Sequence, residues 1–94
     1  MKIYATNAKL HIGLQQKIKE KGYKAASFMN VICKANSMAK ANKRMAELGF
    51  GERVFDPKYT SVTSNTAAHE ICQDTDAAIE VSPCKYVSIE DILR

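Results

Sequence analysis

Ninety-four residues suffice for one domain with a real core and are too few for two. With 46% hydrophobic and 26% charged residues the chain is not a disordered one, and no apolar run approaches the roughly 20 residues that a membrane-spanning helix needs. The net charge of +4 divides unevenly: residues 1–53 carry 11 Lys/Arg against 3 Asp/Glu (+8), and residues 54–94 carry 3 against 7 (−4).

The opening Met1-Lys2-Ile3-Tyr4-Ala5-Thr6-Asn7 turns polar too soon for a secretory signal, so the cytosol is the expected location. Cys33, Cys72 and Cys84 are odd in number and irregularly spaced, which predicts reduced thiols rather than a disulfide framework.

Ile3 and Ala5 alternate with Tyr4 and Thr6, predicting a short first strand. Asn7 is the expected cap of a helix whose stripe is Leu10, Leu14 and Ile18. Lys17, Lys19 and Lys21 suit its C-terminal end and Gly22 its stop, whereas Gly13 opposes it by about 1 kcal/mol against alanine. Residues 25–35 place Met29, Val31, Cys33 and Ala35 on one face, with Phe28 and Ile32 flanking Asn30 on the other. Two largely apolar faces predict a central strand, covered on both sides or on one and partly shielded on the other.

The next helix is the clearest. Asn36-Ser37 caps it, and Met38, Ala41, Met45 and Leu48 make its stripe. Gly49 ends it, with Phe50 closing over Met45. Val54-Phe55 is expected as a short strand broken by Asp56-Pro57, and residues 59–63 as its return. A third helix brings Ala67, Ala68, Ile71 and Cys72 inward. Ala77, Ile79 and Val81 form another strand, Ser82-Pro83 turns, and Tyr86-Val87 starts one more. Ser88 and Asp91 read as a capping box for a last turn with Ile92 and Leu93. The expected fold is a single α+β domain over residues 1–94, a small mixed sheet with two to three helices packed against it.

Chemistry is scarce. His11 and His69 lie in no nucleophile elbow, zinc motif or phosphate loop, so no catalytic residue is assigned. His69 and Cys72 share a helix face, but zinc sites need a second ligand pair, and neither a metal nor another cofactor is expected. The basic residues are the candidates for binding: Lys40, Lys43 and Arg44 on the outer face of the second long helix, extended by Lys17, Lys21 and Lys24. Such a patch attracts phosphates or an acidic protein surface, and Arg44 adds a bidentate fork. The plainer alternative is a solvated surface whose opposite charges satisfy each other. Phe28, Phe50 and Phe55 read as core, leaving Tyr4, Tyr23 and Tyr59 to stack on a base.

In its size, its lack of a catalytic site and the run from Val31-Ile32-Cys33-Lys34-Ala35-Asn36-Ser37 to Met45-Ala46-Glu47-Leu48-Gly49, the chain resembles small phage- and mobile-element-encoded inhibitors of host defence, above all anti-CRISPR proteins. The resemblance implies a non-enzymatic inhibitor that occupies a surface of a CRISPR-Cas effector complex or another host defence protein. That group has no shared signature from which site residues can be carried over. Several of its members are acidic DNA mimics; this basic chain would instead suit an acidic protein surface or a guide-RNA backbone. The rival expectation is a small basic regulator that binds DNA or RNA directly.

Overall fold

The alternation at the start of the chain becomes an eight-residue strand, β1 (Lys2–Lys9), longer than the pattern predicts. After it come α1 (Ile12–Glu20), β2 (Phe28–Ala35), α2 (Met38–Glu47), β3 (Ser61–Val62), α3 (Thr66–Ile71), β4 (Ala77–Ser82), β5 (Lys85–Ser88) and α4 (Ile89–Leu93), in a computed structural model that describes residues 1–94. The strands form one sheet in the order β3-β1-β2-β4-β5, with β2 in the middle as its two-faced pattern requires. The class is α+β, with four helices. Every strand pairing is antiparallel, so the sheet is not mixed. One cause is visible at α1: it links β1 to β2 at the end where Lys9 pairs with Phe28, so the chain reverses direction between neighbours.

One sheet face buries Tyr4, Ala8, Met29, Val31, Cys33, Ala77 and Ile79 beneath three helices. Leu14 and Ile18 enter from α1, Ala41 and Met45 from α2, Ile89 and Ile92 from α4. On the other face α3 brings Ala68 and Cys72 over Ile3, Ile32 and Ala78. This second cluster covers only part of its face.

Several local expectations give way to better partners. Asn7 lies in β1, and α1 is capped by His11, whose Nδ1 accepts from the Leu14 amide at 3.1 Å. Leu10 is buried just ahead of the helix. Residues 54 and 55 form no strand. Phe55 is buried because Asn42 grips its backbone twice, accepting from its N–H at 2.7 Å and donating to its C=O at 3.0 Å. Asp56 organises the turn at Pro57, its carboxylate accepting from the Lys58 amide at 2.8 Å. Ser88 precedes α4 without a side-chain cap and donates to Thr75 Oγ1 instead. Gly22 and Gly49 do end α1 and α2 at φ 91°, and the Phe50 amide closes on the Met45 carbonyl at 2.9 Å.

Candidate functional site

Ser37 sets the phase of α2, its Oγ accepting from the Lys40 amide at 3.2 Å. With Ala41 and Met45 both 0% exposed against the sheet, helical geometry leaves Lys40 and Lys43 facing water and puts Asn42 and Arg44 on the two flanks. Asn42 takes the flank next to Phe55. Arg44 takes the other, beside the start of β4 and α4.

That flank removes Arg44 from the candidate face. Its Nε donates to Asp76 Oδ2 at 2.8 Å, its Nη2 pairs with Glu90, and its Nη1 lies 3.6 Å from Glu47. The hydrogen bond to Asp76 is the main reason that its pKa is raised. Arg94 pairs with Asp91 at 3.4 Å beside the same cleft, a hollow of about 530 Å³ also lined by Asp74, Thr75 and Ser88. Here the acidic second half of the chain meets the basic first half.

The lysines behave differently, for none is in an ion pair. Lys34 alone is drawn inward, donating to the Cys72 carbonyl at the C-terminal end of α3, where a cation is favoured. Lys40 and Lys43 are exposed, and Lys43 borders a shallow groove with Ala39, Asn42, Ala46 and Glu52. Lys17, Lys21 and Lys24 are also exposed, but they precede the Phe28 end of β2, whereas α2 begins beyond the Ala35 end. α2 runs back from there, so that Phe50 just past its end lines one hollow with Leu10, His11 and Leu14 at the start of α1. Mutual pairing of opposite charges thus holds for Arg44, whereas the lysines have no ion-pair partner.

Neither histidine joins a carboxylate or a thiol by a hydrogen bond. His11 caps α1, and His69 Nε2 lies 3.2 Å from the Thr63 carbonyl. His69 is exposed while Cys72, on the same helix end, is buried, and no three metal-ligating side chains stand together. Burial pushes the Cys33 thiol up to about 12, with the nearby Asp76 adding to it, and raises Cys72 as well.

The aromatic assignments change most. Tyr4 is 7% exposed and packs against Phe55, with ring centroids 6.2 Å apart. Tyr23 is half-buried beneath the Lys85 ammonium, 5.3 Å from its ring centroid. Phe28, expected in the core, is 57% exposed on the sheet face that α3 leaves open, and Tyr59 is 76% exposed. Beside Phe28 stand Asn7, Asn30 and Glu80, three polar side chains that the reading of basic residues passed over. Their signal was in the alternation itself: Phe28-x-Asn30 places a polar group on the face where Ile32 is apolar. No protein-family model, curated protein or solved structure matches the chain.

Proposed function

We propose that this protein acts in the cytosol as a non-enzymatic inhibitor, of the anti-CRISPR type, that occupies a surface of an effector ribonucleoprotein or another host defence protein. The observation that carries the reading is the contrast on α2: Lys40 and Lys43 face solvent without carboxylate partners, while Arg44 beside them is held by Asp76 and Glu90. Uncompensated cations on a rigid helix steer association with an acidic or phosphate-bearing surface at little ordering cost. The histidines engaged on backbone groups support a role in binding rather than in chemistry. No helix is long and apolar enough to cross a membrane.

The test is a panel of purified CRISPR-Cas effector complexes of different types, each assayed for target cleavage with increasing amounts of the protein. Near-stoichiometric protection of the target in one type supports the inhibitor. Protection in none, together with tight and steeply salt-dependent binding to naked duplex DNA, would replace it with the nucleic-acid-binding regulator.

A further inference from the structure

The sheet face opposite α1, α2 and α4 is only half roofed. α3 covers the Ile3, Ile32 and Ala78 end, while Asn7, Phe28 and Asn30 at the other end are exposed. In the β1–β2 register Asn7 pairs with Asn30 and Lys9 with Phe28, so all four share this face. A phenylalanine 57% exposed on the middle strand of a sheet has no folding role that its neighbours explain.

The polar groups beside it are fixed in orientation. Asn30 Nδ2 donates to Glu80 Oε1 at 3.0 Å, and Asn7 Nδ2 donates to Asn30 Oδ1 at 3.3 Å. A carboxylate only accepts, so Glu80 sets the direction of both amides, and its second oxygen is taken by the Cys84 amide at 3.2 Å. Each asparagine is left with a second N–H and a free acceptor lone pair side by side. That pairing matches the donor–acceptor edge of a nucleobase, the same logic by which asparagine reads adenine.

Two hollows flank the amides. One, of about 430 Å³, is lined by Asn7, Phe28, Asn30, Glu80, Pro83 and Cys84 among others. The other, of about 270 Å³, shares Asn7 and Asn30 and is closed by Tyr59, Ser61 and Tyr86. Lys9 lies beside Phe28 and Lys58 precedes Tyr59, and neither lysine is in an ion pair. Glu80 is the sole carboxylate in these hollows, and its oxygens are engaged. Aromatic rings, oriented amides and free cations at the rim complement an unpaired, phosphate-linked base. The hydroxyls of Tyr59, Ser61 and Tyr86 add groups suited to a ribose 2′-OH.

We propose that this open half-face binds single-stranded RNA, one base stacking on Phe28 with its edge on Asn30 and Asn7, and Lys9 and Lys58 meeting the flanking phosphates. It deepens the reading above, on which it rests for the source of the strand: the exposed RNA of the ribonucleoprotein partner. Its test needs no partner, so the two can fail separately.

Fluorescence anisotropy with labelled 12-mer single-stranded RNAs, the same DNA sequences and an RNA duplex at 150 mM salt provides that test. Single-stranded RNA should bind, the duplex at least about ten-fold more weakly. Phe28→Ala and Asn30→Ala should each weaken the single strand by about ten-fold or more. Phe28→Tyr should retain binding, and Lys19→Gln, an exposed position on α1 across the sheet, should change it less than about three-fold at this ionic strength. Both alanine variants replace exposed side chains, and an unchanged circular dichroism melt verifies their folding. No binding to any RNA, DNA bound as tightly as RNA, or Phe28→Ala binding like the native chain would each overturn the proposal.

Discussion

Arg44 and Asp76 are 32 residues apart in sequence and joined by a 2.8 Å hydrogen bond from Nε to Oδ2. This bond, with the Glu90 pair beside it, ties α2 to the start of β4 and to α4. It also decides which part of a basic helix is available to a partner. Arg44, Asp76 and Glu90 side chains are 28%, 39% and 48% exposed, so solvent screens the network. Arg44→Gln should cost about 1 kcal/mol in urea unfolding at low salt and less at high salt, with partner binding unchanged. Lost binding at unchanged stability would place Arg44 on the docking face after all.

Asn42 and Phe55 form a second tether. Two hydrogen bonds from one side chain hold the backbone of a segment that has no strand partner, and they bring a large ring into the core. Asn42→Ala removes both and should destabilise the fold by about 2 kcal/mol. The segment before β3 should then become the first site of limited proteolysis. An unfolding midpoint equal to that of the native chain would contradict this.

His11 and Gly13 are coupled. A Cβ on Gly13 would lie 3.2 Å from His11 Nδ1, the cap acceptor of α1. Glycine here, costly inside a helix by about 1 kcal/mol, leaves room for the imidazole. Gly13→Ala in the native chain should therefore gain little, because helix propensity and cap loss offset one another. In a His11→Ala background the same change should stabilise by about 1 kcal/mol. Additive effects in this double-mutant cycle would rule the coupling out.

Cys33 gives the fold an alkaline limit. Its thiol is pushed from 9.0 to about 12, so the folded chain holds a proton that the unfolded chain releases. Stability from this group is complete below pH 9 and declines from there toward pH 12, by up to about 1.4 kcal/mol per pH unit. Burial raises Cys72 and Tyr86 too, which steepens the same decline. Urea midpoints measured from pH 8 to 10.5 should fall, and less steeply in Cys33→Ala; an equal slope in that variant would contradict this.

Much of the fold was legible where one local signal and one burial pattern agreed. The Ser37 cap, the Ala41–Met45 stripe and the Gly49 stop define α2, and the two largely apolar faces of residues 25–35 placed β2 in the middle. The sequence misled where a distant group competed. Val54-Phe55 has strand-like residues, but Asn42 satisfies the backbone that a strand partner would have paired. Asn7 is a good cap by type, yet it pairs with Asn30 in the sheet and His11 takes its place. The basic candidates were found by type alone. Which of them a carboxylate would capture depended on the flank of α2 that Arg44 occupies, and that required the position of Asp76. Phe28 escaped notice because a strand pattern shows which residues share a face, not how far a six-residue helix extends over it.

Whether the free ammonium groups of α2 form the contact with a partner is most directly measured by reversing them. The double variant Lys40→Glu/Lys43→Glu leaves the core and every ion pair in place, so its melting temperature should match that of the native chain. Against the effector complex that the native protein inhibits, its affinity should drop about 100-fold or more, as expected when like charges replace complementary ones. Undiminished inhibition by that folded variant would contradict the account.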